Sequence, residues 1–313
     1  MINPWPRLSG PVALLQVFNR GQPCGWLGQH AGGFWFHYNS ASAQQPWLSL
    51  LMPPSQNFYQ SNTLFGVFAQ HLPTPQGVAW LQQFYPHVHL GPLELLALAG
   101  ANTLGSLSFA NPDAPLVQPR MVLNNAQLQA LPARPEGVLG APLLRQFEPT
   151  QPANFLACST ARYNNPDLWV FSTQQTKAIQ IELARIAKET DLNGLLRGLQ
   201  WVEHIQAGEH WAWCPRPEFD TFRQQRLGLD SFASVLNLSS TAFVELMQQP
   251  KRFRHVACEV IRTYCRNTAL EIKRFEALMH LLQTGHIQAH LVYEQPALNS
   301  PANKPQVLGV EYF

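Results

Sequence analysis

The stretch from Arg274 to Glu294 constrains this chain more than any other. Phe275, Leu278, Met279, Leu281 and Leu282 recur at helical spacing, which predicts a short helix with one buried apolar face. Gly285 stops that helix, and Gln288, His290 and Tyr293 are expected in a polar turn around the apolar pair Leu291-Val292.

A chain of 313 residues can bury one large core or two modest ones, and two domains is the prior. Charged residues make up 13%, about half the usual quarter, so the surface must rely on Gln, Asn and Ser. A net charge of +2 gives no argument for nucleic acid or an anionic membrane. The five cysteines are scattered and form no C-x-x-C pair, which points to reduced thiols in a cytoplasm. No apolar run approaches the roughly 18 residues that span a bilayer, and residues 1–6 lack the features of a signal peptide. The expectation is a soluble, cytoplasmic protein.

The first hundred residues read as short strands and helices. Val12 to Phe18 is an apolar strand, Asn19-Arg20-Gly21 a turn, and Cys24 to Gly28 and Gly33 to Tyr38 are further strands. Leu48 to Pro53 is expected as another strand, ended by Pro53-Pro54. Helices are expected from Leu64, around Val78 to Tyr85, and over Pro92 to Ala99, before a strand at Leu104 to Phe109. The fold class is α+β, with a first unit at 1–110. Seven prolines between Pro112 and Pro149 predict a linker over 111–150, and a second unit occupies 151–313. In that unit Asp167 to Thr173 reads as a strand and Lys177 to Lys188 as a helix.

These segments resemble the HipA family, kinase toxins of bacterial toxin–antitoxin pairs. Asn19 to Leu27, Phe36 to Tyr38, Leu48 to Pro53, Phe68 to Gly77, Pro92 to Gly100 and Gly105 to Phe109 follow six motifs of its N-terminal subdomain in order. Gly285-His-Ile-Gln-Ala-His290-Leu-Val-Tyr293 resembles the family's catalytic loop G-N-T-D-A-H-x-K-N. In this register Gln288 stands at the catalytic Asp and Tyr293 at the metal-binding Asn. Gly285 and His290 remain as possible structural residues of the loop. Gln180 stands where the family's helix carries the glutamate that pairs with the phosphate lysine, and Phe313 where the magnesium-binding Asp belongs. Trp211 to Asp220 is similar to its hinge strand, and Asp230 to Leu236 to its E-D-F-x-Q-A-L segment.

The resemblance implies a small mixed α/β subdomain packed on a degenerate protein-kinase-like domain without the C-terminal helical lobe. Phosphoryl transfer depends on positioning and charge neutralisation, and Gln, Tyr and Phe offer Mg²⁺ no anionic oxygen. The expected protein is therefore a pseudokinase with no catalytic residues, no metal and no ATP or Mg²⁺ cofactor. It would act by protein–protein binding, with a HipB-like HTH antitoxin or a HipA-type kinase as partner and DNA reached only through an antitoxin. The alternative is a divergent serine/threonine kinase toxin using, for instance, Asp230 or Glu294. A third reading is a ligand-binding or DNA-associated accessory protein.

Remaining clusters have plainer readings beside these. His286 and His290, and His87 and His89, have metal-compatible spacings but are read as loop residues. Lys251, Arg252, Arg254, Arg262 and Arg266, with Lys273 and Arg274 beyond, form the one basic concentration and are candidates for partner binding. Interleaved Glu259, Glu271 and Glu276 allow the plainer reading of a solvated helix face.

Overall fold

The computed structural model describes residues 8, 10–39, 45–72, 78–79, 82, 85–100, 103 and 105–113 of the first part of the chain. Beyond these it describes 156–160, 167–172, 174–192, 195, 199–204, 210–215, 227–284, 289–294 and 304–312. Both helices and antiparallel sheets are present, so the fold is α+β.

The first unit is a five-stranded antiparallel sheet of order β4-β3-β2-β1-β5. Its strands are β1 (Leu14–Asn19), β2 (Gln22–His30), β3 (Gly33–Tyr38), β4 (Phe58–Ser61) and β5 (Leu107–Ala110). Arg20 and Gly21 join β1 to β2 at φ 54° and 75°, the paired positive values whose twist suits a two-residue hairpin. Burial alternates along β1 and β3, so Leu15, Val17, Phe34, Phe36 and Tyr38 share the inner face. Helices α1 (Gly66–Ala69) and α2 (Pro92–Ala99) close that face with Val67, Phe68, Leu93 and Leu96.

Leu48 to Pro53 departs from expectation. It makes a single bridge, Ser49 to Met52, within a tight turn, and the strand lies later, at β4. The Tyr38 hydroxyl explains this, because it donates to the Met52 carbonyl at 2.5 Å and accepts from the Leu48 amide at 3.1 Å. A side chain thus serves the backbone groups that a ladder would otherwise serve. The expected helix around Val78 to Tyr85 falls largely outside the described residues.

A second sheet, order β6-β7-β9-β8, contains β6 (Leu156–Thr160), β7 (Asp167–Ser172), β8 (Leu199–His204) and β9 (His210–Pro215). Helix α3 (Gln174–Thr190) connects β7 to β8 in sequence. A third sheet, order β10-β11-β12, contains β10 (Gly228–Ser231), β11 (Ala289–Glu294) and β12 (Gln306–Tyr312). Around it lie α4 (Phe232–Val235), α5 (Ser240–Met247), α6 (Pro250–Tyr264) and α7 (Thr268–Gln283). Ser231 and Ser239 cap α4 and α5 by accepting from the Ser234 and Ala242 amides, and Pro250 starts α6 where its missing N–H costs nothing.

The apolar face predicted for the helix ahead of Gly285 is the one that α7 buries, since Phe275, Leu278, Leu281 and Leu282 are all inside. Phe275 lies 5.5 Å from Phe253 and 6.3 Å from Phe232, ring centre to ring centre. The expected polar turn at His290 and Tyr293 is instead the central strand β11, paired on both sides. Ala289 through Tyr293 are all buried, as befits a strand covered on both faces, and this burial overrides the polar residues that suggested a turn. Helix α2 joins the two cores: Leu93 and Leu96 belong to the first, and Leu95 to the one around α7.

Candidate functional site

The first unit meets the β10–β11 sheet along a seam of side-chain to backbone hydrogen bonds. At the end of α1, Gln70 donates from Nε2 to the Leu229 carbonyl at 2.9 Å. Its Oε1 accepts from the Ser231 amide at 2.8 Å. One amide side chain therefore serves the two peptide groups that flank Asp230, on the edge of β10 opposite β11. Asp230 itself is fully buried: Oδ2 accepts from the Leu50 amide at 2.7 Å, and Oδ1 from the Ser234 hydroxyl at 3.3 Å. Burial pushes its carboxyl up to about 7, against the opposing pull of those donors.

Tyr293 completes the seam. Its hydroxyl donates to the Leu48 carbonyl at 3.1 Å, and its ring covers Gly228, where a Cβ would lie 2.1 Å from a ring carbon. The turn at Leu48 to Met52 is thus gripped by Tyr38 from its own sheet and by Asp230 and Tyr293 from the other side. Gly66 and Gly105 permit the same approach, since a Cβ on either would lie within 3 Å of Ser234 or Leu229.

Several expected site residues fall elsewhere. Gly285, Gln288 and Phe313 lie outside the described residues, and Gln180 is placed only by its backbone, within α3. Tyr293 is fully buried, and burial raises its phenol well above its ordinary range. His290, expected as a loop residue, is a buried position of β11 opposite Ser231. Asp230 is sealed in the seam, whereas Glu294 is exposed at the end of β11. His87 and His89 are exposed, and the described residues contain no group of three or more His, Cys, Asp or Glu able to hold a metal. Nor is any described helix long and apolar enough to cross a membrane.

The basic concentration divides. Lys251, Arg252, Arg254, Arg262 and Arg266 are exposed, the first four on α6 and Arg266 just beyond it. Arg254 pairs with Glu276 of α7, and Arg262 with Glu259 at 2.5 Å. Arg274 does not belong with them. It is buried, donating to Glu271 Oε2, the Val310 carbonyl and the Leu195 carbonyl, each at 2.8 Å. Glu271 also accepts from the Val310 amide at 3.2 Å, so this ion pair covers the outer edge of β12 as Gln70 covers that of β10. A sequence signal was present, because Glu271 and Arg274 fall on the apolar stripe with Phe275 and Leu278, where isolated charges must pair. No comparable signal marks Gln70.

Fold and seam together define a chain whose first hundred residues form a five-stranded unit keyed to a helix-backed three-stranded sheet. Residues 15–110 match the family model described as HipA N-terminal domain. The match supports a HipA-family protein, and it ends at Ala110. No curated protein matches the chain.

Proposed function

We propose that this chain is a catalytically inactive HipA-like protein that works by binding another protein in a toxin–antitoxin setting. The observation that carries the reading is Tyr293. In the register that aligns Gly285 to Tyr293 with the family's catalytic loop, this residue stands at a metal-ligand position, yet it is buried and its hydroxyl is spent on Leu48. A neutral phenol facing a backbone carbonyl gives Mg²⁺ no anionic oxygen, so Mg·ATP does not fit this position. Asp230, one of the two carboxylates named as substitutes, has both oxygens engaged inside the seam. The chain order β7, α3, β8, β9 in an antiparallel sheet, with β9 lying between β7 and β8, supports a kinase-like frame for 151–313. The partner is an HTH antitoxin of the HipB kind or a HipA-type kinase that this chain restrains.

The test is incubation of the full chain with ATP and Mg²⁺, alone and with the products of neighbouring genes, read by intact mass. No phosphate gain on this chain or its neighbours, together with co-purification of an HTH protein or a kinase, is the expected outcome. Phosphate transferred by this chain would overturn the reading and favour a divergent serine/threonine kinase.

A further inference from the structure

Residues 250–276 carry seven cations and three carboxylates, a net +4, whereas the whole chain carries +2, so the rest sums to −2. The three carboxylates are already engaged: Glu271 with buried Arg274, Glu259 with Arg262, and Glu276 with Arg254. What is left facing solvent on α6, α7 and the residues between them is positive. Among the described residues, Lys251, Arg266 and Lys273 make no ion pair or side-chain hydrogen bond, and Arg252 reaches only Gln249 Oε1, at 3.4 Å. The Arg254–Glu276 pair joins the exposed sides of the two helices into one surface. The first turn of α6 holds Lys251 and Arg252 with no carboxylate and no side-chain cap, so two cations sit at the positive end of the helix dipole. That placement costs stability in the free chain and is relieved by an anion.

We propose that the exposed side of α6 and the adjoining side of α7 is a docking surface for an acidic segment of a partner protein. The inference rests on the binding function proposed above and gives that partner its chemistry. An acidic polypeptide fits better than nucleic acid because Glu259 and Glu276 lie among the cations. A duplex presents a phosphate charge about every 1.7 Å and would face both carboxylates. A protein segment can set its own carboxylates against Lys251, Arg252, Arg266 and Lys273 and leave neutral residues over the two glutamates.

The experiment titrates the full chain into two fluorescein-labelled probes, poly-L-glutamate of about twenty residues and a DNA duplex of about twenty base pairs, reading anisotropy at low and moderate salt. The peptide is expected to bind at low salt and to weaken as salt rises. Lys251→Glu/Arg252→Glu/Arg266→Glu should lose at least about tenfold in affinity, while Lys188→Glu, an exposed cation on α3, should not change it. Where circular dichroism shows the triple variant unfolded, Lys251→Gln/Arg266→Gln serves, with a several-fold loss expected. Unchanged affinity in a folded variant, an equal loss in Lys188→Glu, or tighter binding of the duplex than of the peptide overturns the proposal. A phosphate gain in the mass experiment would overturn the inactive reading without altering these titrations, so the two failures are distinguishable.

Discussion

Gln70 brackets Asp230: its side-chain amide hydrogen-bonds the peptide groups on either side of that residue, donating to the Leu229 carbonyl and accepting from the Ser231 amide. A neighbouring strand would bond β10 in this way, so a glutamine from the first unit stands in for a missing fourth strand of the three-stranded sheet. Gln70→Ala leaves both groups buried and unpaired. Each such orphan costs about 1–3 kcal/mol. The variant should therefore lose about 2–4 kcal/mol in urea denaturation, whereas Gln249→Ala, exposed at the start of α6, should change little.

Asp230 gives the seam a pH dependence. Its folded value of about 7 lies above the ordinary carboxyl value of 3.8, so the folded state holds the proton longer than the unfolded one. The stabilisation that this provides is complete below about pH 4 and is lost as pH rises through about 7. Asp230→Asn should remove that loss. Its stability relative to wild type should improve by at most about 1.4 kcal/mol per pH unit between roughly pH 4 and 7 and level off above. Denaturation midpoints of both proteins across that range check this, and parallel curves would refute it.

Tyr293 and Gly228 should behave as a complementary pair. Tyr293→Phe removes the donor to the Leu48 carbonyl and should cost about 1–2 kcal/mol. Gly228→Ala drives a Cβ into the ring and should cost about 1–3 kcal/mol through overpacking. Tyr293→Asn places a metal-ligand residue type at the same buried position and leaves a large cavity there. It should lower the melting temperature without producing phosphate transfer, as read by calorimetry and intact mass.

Arg274 is a buried charge whose removal should be costly. Arg274→Met strands Glu271 beside the Val310 amide and leaves Glu311 without the guanidinium 3.6 Å away. Breaking a buried pair by removing one partner costs about 3–5 kcal/mol. Arg262→Met breaks only the exposed pair with Glu259 and should change stability by less than about 1 kcal/mol. Thermal melts of the two variants give the comparison.

Local chemistry was enough for much of the architecture. Asn19-Arg20-Gly21 announced a hairpin, the spacing of leucines and Phe275 announced α7, and Pro92 marked the start of α2. Each signal acts over one turn or one strand pair, so neighbours in sequence suffice to express it. The order of motifs in the first hundred residues likewise pointed to the unit that the HipA N-terminal family model matches.

Leu48 to Met52, Tyr293 and Arg274 were not legible in the same way. The first is apolar enough for a strand but finds its hydrogen bonds on Tyr38, Asp230 and Tyr293, residues up to 245 positions away. Tyr293 looked like part of a polar turn because nothing nearby shows that Gly228 and Leu48 will enclose it. Arg274 looked like one more surface cation although it falls on the apolar stripe of α7, and only the fold shows the partner, Val310 of β12, that lets it be buried there. Periodicity, turn chemistry and capping are written in adjacent residues and were set by the sequence alone. Which polar groups are sealed, and against which partners, depends on contacts between distant segments, and those exist only once the chain has folded.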